Sequence, residues 1–278
     1  MSTQSAVSVR FWGVRGTLPS PGPGTVRYGG NTPCVEVRCG KHMIILDAGT
    51  GLRVLGNSLM NAKSAVDADI FLSHCHIDHM EGLPYFAPAF VHGNRLRLWA
   101  GNLQPVYRLE DIVRRVISPP LFPIEVEILK AAMEYRDFKA GDVLRPRPDV
   151  TISTAPLDHP DGATGYRIEY AGRSVAYITD TESRYDNYIG NITSLARGAD
   201  LMIFDCTYTE EELISRAGWG HSTWQQGVQI ADAAGARVFC LFHHDPDRDD
   251  SALDTLAGAV DAARAGTIVA REGLVVNL

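Results

Sequence analysis

Short apolar runs separated by stretches rich in glycine, proline and polar residues recur along this chain, and they predict buried β-strands. The clearest run, Ala-Asp-Ile-Phe-Leu at positions 68–72, contains residues that favour strands and is followed by a polar loop. Similar runs continue to the carboxyl terminus. The predicted strands are 7–12, 34–39, 43–46, 68–72, 96–100, 134–138, 150–155, a strand that follows the turn at Gly165, 173–178, a strand within 199–205, 237–241, 268–270 and 274–276.

Between several of these strands the apolar residues recur at steps of three and four, which is the spacing of one helical face. The segment 103–117 has this pattern at positions 106, 109, 112, 113 and 116, and Pro119 and Pro120 follow it. Further helices are predicted from about residue 52, at 223–234 and at 251–265. Strands that alternate with helices predict an α/β fold built in layers.

Length and charge narrow the class of protein. The chain has 278 residues, of which 45% are apolar and 21% charged, as in an ordinary globular protein. This length fits one large domain over residues 1–278. The core of such a domain is large enough to be stable without disulfide bonds or structural metal ions. The formal net charge of -7 argues against a general surface for nucleic acids or anionic membranes.

The cysteines and the amino-terminal residues bear on the cellular compartment in which the protein is expected. The five cysteines are odd in number and show no paired spacing, which favours a reducing environment. The first residues show no secretory signal, and no apolar run reaches about 18 residues, the length of a membrane span. We therefore expect a soluble cytoplasmic protein.

The stretch 73–82 directly after the predicted strand 68–72 concentrates metal-binding side chains. It reads Ser-His-Cys-His-Ile-Asp-His-Met-Glu-Gly. Imidazole and carboxylate groups suit zinc and related first-row ions. His74 and His76 can face one point from an extended backbone, while Asp78 and His79 can reach a second point. Two ions could share this loop, and Cys75 is a further possible ligand.

The spacing of these residues is that of a known family signature. His74, His76, Asp78 and His79 form the pattern His-x-His-x-Asp-His, and the chain therefore resembles the metallo-β-lactamase superfamily. The resemblance implies a four-layer αββα sandwich with a dinuclear metal site at the rim between the two sheets. It also implies a metal-dependent hydrolase with two divalent ions, most often zinc, with manganese or iron as alternatives.

The resemblance also implies a ligand for each remaining position, since each candidate lies just after a predicted strand. In this arrangement Asp180 bridges the two ions, and Asp47 supports the metal loop without binding an ion. Adjacent side chains on a strand point in opposite directions, so only one of His243 and His244 can be a ligand, and the family pattern selects His243. The first ion would be held by His74, His76 and His159, and the second by Asp78, His79 and His243.

A second segment, His221-Ser222-Thr223, narrows the resemblance to a branch of the superfamily. It is similar to the branch of transfer-RNA 3′-processing nucleases and cyclic-phosphate phosphodiesterases. A helix predicted to begin here would favour a phosphate at its amino terminus, although Ser222 or Thr223 can equally cap that helix. The resemblance implies that His221 is a general acid and that Asp205 orients it.

From these features we expect a phosphodiesterase in which a metal-activated hydroxide attacks the phosphorus. Asp78, His221 and Asp205 are the candidate catalytic residues. The acidic charge and the lack of a recognisable basic arm favour a small cyclic nucleotide or cyclic phosphate, with no stable nucleic-acid partner and no membrane. A homodimer is an expectation from the family alone.

Three other functions are compatible with parts of the sequence. A thioesterase or lactonase would use the same ions to polarise a carbonyl, but it gives no role to the His-Ser-Thr segment. A metal-bearing nucleotide-binding module would keep the ligands without turnover. A di-iron redox enzyme of this superfamily typically has Glu where this chain has His76.

Overall fold

The protein is built on two mixed β-sheets. Its computed structural model describes residues 6–183 and 186–278, which form two seven-stranded sheets. The first sheet has the strand order β14-β1-β2-β3-β4-β5-β6. Its strands are β1 (Val7–Gly13), β2 (Cys34–Cys39), β3 (His42–Leu46), β4 (Asp67–Leu72), β5 (Arg95–Ala100), β6 (Ala132–Asp137) and β14 (Val275–Asn277).

The second sheet repeats this plan with the remaining strands. Its order is β13-β12-β11-β10-β9-β8-β7. In both sheets antiparallel hairpins form one half and parallel strands the other. The strands are β7 (Val143–Arg147), β8 (Val150–Leu157), β9 (Ala163–Tyr170), β10 (Arg173–Ile178), β11 (Leu201–Asp205), β12 (Val238–Phe242) and β13 (Ile268–Val269).

Helices cover the outer face of each sheet. Apolar residues of α1 and α2 pack on the first sheet, and those of α3, α5 and α6 pack on the second. The sequence-based prediction of an αββα sandwich is therefore confirmed. The helices are α1 (Gly51–Asn61), α2 (Leu109–Val116), α3 (Asp186–Ala196), α4 (Glu210–Arg216), α5 (Trp224–Ala234) and α6 (Asp250–Ala263).

Aromatic side chains fill the space between the two sheets. Phe71 of β4 is fully buried, stacks on Trp99 of β5 at 5.2 Å between ring centroids, and meets Tyr166 of β9 edge-on at 5.5 Å. Tyr177 and Phe242 make a similar contact at 5.6 Å. Rings in these geometries add attraction beyond the area that they bury. They join the strands that carry the metal loop to the strands of the second sheet.

Some predicted boundaries are wrong, and one helix is much shorter than predicted. α2 spans only Leu109–Val116, because Pro105 lacks an amide hydrogen and Arg108 has an extended backbone. Val106 is consequently 72% exposed and does not belong to an apolar helical face. The sequence analysis also missed β7, α3 and α4. β7 is an edge strand, where its Pro146 costs no hydrogen bond of the sheet interior.

The topology brings several strand ends to one rim. β3, β4, β8, β10, β11 and β12 run so that their carboxyl ends lie at the same edge of their sheets. The residues that follow these strands include each predicted metal ligand. Among the described residues, no helix combines the length and apolar composition needed to cross a bilayer.

Replacing Phe71 with Ala is expected to lower the free energy of unfolding by about 3–5 kcal/mol, because a buried ring is lost between the sheets. Urea unfolding followed by circular dichroism measures the change. Ile214→Ala is the control, since Ile214 of α4 is 83% exposed, and it should change stability by less than about 0.5 kcal/mol. Similar losses in both variants would contradict the role given to Phe71.

Candidate metal centre

Three imidazoles form the first group of the site. His74 lies two residues after β4 and His159 two residues after β8. The ring of His76 contacts both, with its centroid 4.4 Å from that of His74 and 4.9 Å from that of His159. Nδ1 of His76 is 3.1 Å from Nε2 of His159. Four ligands at about 2.0–2.1 Å from zinc lie about 3.3 Å from one another. The spacing in this group therefore fits one ion.

Two carboxylates and two imidazoles form the second group. Nε2 of His79 is 3.2 Å from Oδ2 of Asp78 and 3.2 Å from Oδ2 of Asp180. Nε2 of His243 is 3.2 Å from the same oxygen of Asp180 and 3.6 Å from that of Asp78. All four side chains are buried. Their ligand atoms surround a second point at the rim.

Asp180 lies between the two groups and presents one oxygen to each. Its Oδ1 is 3.9 Å from Nε2 of His74 and 3.9 Å from Nε2 of His159. Its Oδ2 faces His79 and His243 at 3.2 Å. A carboxylate in this position can bind two cations at once. The bridging position given to Asp180 by the sequence is therefore compatible with the geometry.

Hydrogen bonds fix which nitrogen of each imidazole faces the centre. Nδ1 of His159 is 2.9 Å from the carbonyl oxygen of Gly220, which can only accept, so Nδ1 carries the hydrogen. Nδ1 of His79 likewise bonds to Oδ2 of Asp47 at 2.9 Å, and Nδ1 of His243 to Oγ1 of Thr207 at 2.9 Å. In each ring the Nε2 lone pair is left for a ligand bond.

Asp47, which directly follows β3, holds the imidazoles of the metal loop in these orientations. Its carboxylate accepts bonds from the amide and hydroxyl of Ser73, from Nδ1 of His79 and from the hydroxyl of Tyr177. The Ser73 hydroxyl donates to Asp47, so it can accept from Nδ1 of His74 at 3.0 Å. One buried carboxylate thus orients imidazoles from both groups. This contact set agrees with the supporting role predicted for Asp47.

The residues present fit divalent ions. Nε2 of His74, His79 and His243 are buried, and none has a hydrogen-bond partner among the described residues. Burying a polar atom without a partner costs free energy, and metal ions held by the two groups would satisfy these three nitrogens. The nitrogen and oxygen donors suit zinc, and they also suit manganese or iron.

The charges of the site also suit a cation. Burial opposes ionisation of Asp180, but the imidazoles of His243 and His79 outweigh burial and hold the pKa of Asp180 well below its usual range. Burial likewise disfavours the charged form of Asp78, and His79 nevertheless lowers the pKa of that carboxyl. Both carboxylates are therefore anionic at neutral pH.

Three site residues have a left-handed backbone conformation. The φ angles are 61° for Asp47, 54° for Asp180 and 60° for His243. This conformation costs about 1–3 kcal/mol for a residue with a side chain. It turns the chain sharply at the ends of β3, β10 and β12. The side chains are thereby directed to one point at the rim.

Close backbone approaches leave room for the imidazoles. A Cβ atom on Gly16 would lie 2.3 Å from the ring of His243, and one on Gly220 would lie 2.2 Å from Nδ1 of His159. Only glycine fits at these two positions. In the same region the amide of Thr17 donates to Oδ2 of Asp78 at 2.9 Å. The loop after β1 is therefore part of the wall of the site.

His221 lies beside the second group and is paired with Asp205. Its Nδ1 is 2.9 Å from Oδ2 of Asp205, and its ring stacks on His243 at 5.0 Å between centroids. Burial alone would lower the pKa of His221, but the carboxylates of Asp205 and Asp180 raise it to about 9. The imidazole can therefore hold a proton at neutral pH. The structure brings together the two residues that the sequence paired.

The structure separates His243 from its neighbour. His244 is buried with Nε2 2.8 Å from the carbonyl oxygen of Ala270, and burial lowers the pKa of His244 to about 3. Among the described residues it belongs neither to the two ligand groups nor to a third cluster of potential ligands, which consists of Asp205, His221 and His243. Cys75 belongs to none of them either, and burial raises the pKa of its thiol to about 12.

Sequence reasoning missed several residues that shape the site. Ser73, Thr207 and Tyr177 bond to ligands or to the carboxylates that support them. Glu182 accepts bonds from the amides of Gly218 and Gly220, which hold the loop before His221. Thr207 follows Asp205 by two residues, so the sequence offered one signal for Thr207: a hydroxyl close to the carboxylate predicted to orient His221. Tyr177 carried no comparable signal.

Several curated relatives resemble the chain along most of its length. A protein named Ribonuclease Z from Picrophilus torridus is 25% identical over 320 residues, covering 99% of this chain and 96% of the relative. A Ribonuclease Z from Brevibacillus brevis is 38% identical over 95 residues, which is 32% of this chain and 28% of that protein. These relatives are ribonucleases by name, so the expectation of a small substrate and no nucleic-acid partner is wrong. Net charge averages the whole surface and does not describe the charge at the site.

Solved structures share the fold. The metallo-β-lactamase fold protein YhfI from Bacillus subtilis aligns with a TM-score of 0.73 at 19% identity, covering 98% of this chain and 99% of that chain. The short form of human tRNase Z aligns with a TM-score of 0.68 at 20% identity, covering 97% and 98%. These likenesses support the αββα architecture.

Replacing Asp47 with Asn is expected to weaken metal binding about 10- to 100-fold, because the amide nitrogen cannot accept the bonds that orient Ser73 and His79. Competition with a chelator measures the affinity. Asp69→Asn is the control: Asp69 is buried in β4 and bonds to Arg97 and Trp99, away from the imidazoles. Unchanged affinity in Asp47→Asn would contradict the orienting role of Asp47.

A family model ties these observations together. The model described as the beta-lactamase superfamily domain matches residues 42–244 of this chain. That range includes the strands β3, β4, β10 and β12 and all seven residues of the two ligand groups. The chain belongs to the β-lactamase superfamily and is a metal-dependent hydrolase with the metallo-β-lactamase fold.

Proposed function

We propose that this chain is a metal-dependent ribonuclease that hydrolyses a phosphodiester bond of RNA, with transfer RNA as its substrate class. The observation that carries the proposal is His221, whose Nδ1 is paired with Oδ2 of Asp205 at 2.9 Å and lies 3.9 Å from Oδ1 of Asp180. A phosphodiester needs a proton on its departing oxygen. The curated relatives named Ribonuclease Z support RNA as the substrate, and the structural neighbour named tRNase Z supports transfer RNA.

The residues that would hold the ions divide into two sets. His74, His76 and His159 would hold the first, Asp78, His79 and His243 the second, and Asp180 would contact both. Two divalent ions in such sites activate a water and offset negative charge on the attacking and leaving oxygens. We propose zinc as the resident metal, since the donor set is the one that zinc prefers.

His221 would give its proton to the leaving oxygen. Nδ1 is committed to Asp205, so Nε2 is the atom available for proton transfer. The amide of Thr181 also donates to Oδ2 of Asp205, and Thr207 donates to Oδ1. These bonds keep the carboxylate fixed, and the fixed carboxylate orients the imidazole. General acid catalysis of this kind contributes about 10²- to 10⁴-fold to a rate.

We also propose that residues 1–278 form one domain that works in a reducing, cytoplasmic environment. Apolar side chains of both sheets share one core between the sheets, as expected for one domain. The cysteines are free, and four of the five are buried.

The direct test compares RNA cleavage with ester hydrolysis on one preparation with quantified metal. We expect cleavage of a transfer RNA that carries a 3′ extension, and no comparable turnover of a thioester or lactone. Asp180→Ala removes the shared ligand, so it should lose bound metal and activity together. Ester turnover without RNA cleavage by the wild type would overturn the proposed function.

Replacing His221 with Ala should slow cleavage most when the leaving group is poor, because only a poor leaving group needs protonation. A series of aryl phosphodiesters with leaving groups of different pKa measures this dependence. The loss should reach about 10²- to 10⁴-fold for the least acidic leaving group. The amount of bound metal should stay unchanged. Equal slowing of every member, or loss of metal, would contradict the role of a general acid.

A further inference from the structure

A cavity of about 460 Å³ opens directly beside the first group of ligands. His74, Cys75 and His76 of the metal loop contribute to its lining. The remaining lining comes from two loops and from one residue of α2, none of which has a role in the chemistry proposed above. A substrate whose phosphate reached the ions would have its adjoining part at this cavity.

Two loops form the walls and are tied to each other. One follows β5 and contains Asn102 and Tyr107, and the other follows β8 and contains Gly162. Nδ2 of Asn102 donates to the carbonyl oxygen of Gly162 at 2.8 Å, which joins the loops across the cavity. The amide of Tyr107 donates to the carbonyl oxygen of Leu103 at 2.9 Å, which fixes the turn that carries the tyrosine. The walls are therefore formed before a ligand binds.

The lining matches the chemistry of a nucleobase. Leu103, Val106 and Ile112 are apolar, Tyr107 adds an aromatic ring, and Gln104 adds an amide. Tyr107 is 50% exposed and Val106 is 72% exposed, so apolar surface is held open next to the metal ligands. A nucleobase has two flat faces that stack on aromatic rings and a polar edge that bonds to amides.

We propose that this cavity binds the nucleobase on one side of the scissile phosphate, with Tyr107 as the stacking residue. This inference rests on the proposed function, because it assumes that the substrate is RNA. Stacking tolerates every base, since each base has a flat face. Gln104, Asn102 and Asp161 are side chains in the lining that can hydrogen-bond to a base edge, and Oδ1 of Asn102 is buried with no partner among the described residues. The subsite positions the nucleotide, and the ligand groups act on its phosphate.

A binding experiment tests the subsite without relying on turnover. The probes are adenosine 3′,5′-bisphosphate and ribose 3,5-bisphosphate, which differ in the base and carry a phosphate on both sides of the sugar, and calorimetry measures their affinities for the metal-loaded protein. The wild type should bind the nucleotide about 5- to 150-fold more tightly, the range expected for one stacked base. Tyr107→Leu should lose most of this ratio, whereas Tyr107→Phe should keep it.

A matched variant controls for the loss of an aromatic side chain. Tyr170 lies at the far end of β9 and contacts His42, and Tyr170→Leu should keep the ratio. Equal affinity of the two probes for the wild type, including no binding of either, would overturn the subsite. A ratio that survives in Tyr107→Leu would overturn it as well.

Cleavage of modified RNA separates this inference from the proposed function. An abasic ribose is placed on the 5′ or the 3′ side of the scissile phosphate, and kcat/KM is measured for the wild type and Tyr107→Leu. One of the two substrates should abolish the effect of Tyr107→Leu, because the base that stacks is missing. If the variant effect persists on both, the subsite is wrong while the nuclease stands. If intact RNA is not cleaved, the proposed function fails, and the binding ratio still decides the subsite.

Discussion

The constraint on which this structure depends is the burial of several imidazoles and carboxylates at one rim. A buried charge without a partner is expensive, and a buried imidazole nitrogen without a bond also costs free energy. The protein meets the constraint with Asp47, which bonds to Ser73, His79 and Tyr177 at once. Asp47 bonds directly to Nδ1 of His79, and through the Ser73 hydroxyl it fixes Nδ1 of His74. The near side of each ring is left for a cation.

The topology explains why this constraint can be met at all. Parallel strands end at the same edge, and the hairpins of the second sheet bring β8 into the same direction as β10. Side chains separated by more than a hundred residues therefore meet at one point. Left-handed conformations at Asp47, Asp180 and His243 complete the convergence. These strained conformations are maintained because the surrounding strands fix the backbone on both sides of them.

The sequence was informative for the metal ligands, because their signal was local. The ligands of the metal loop lie within six positions, and the other candidates directly follow apolar runs, so the strand ends could be predicted without the fold. The partners Ser73 and Tyr177 were not predictable, because Ser73 reaches Asp47 through the pairing of β3 with β4, and Tyr177 reaches it through the packing of the two sheets. α4 was missed although its capping box, Thr209 with Glu212, is a local signal.

The general acid and the second ligand group share one network of hydrogen bonds. Oδ1 of Asp205 accepts from the hydroxyl of Thr207, which in turn accepts from Nδ1 of His243, while Oδ2 of Asp205 holds His221. Hydrogen bonds in such a chain polarise one another, so their energies are not additive. A change at Asp205 would therefore reach a metal ligand through Thr207 as well as the acid. His221 joins this network only through its bond to Asp205, so its removal leaves the hydrogen bonds from Asp205 through Thr207 to the ligand His243 in place.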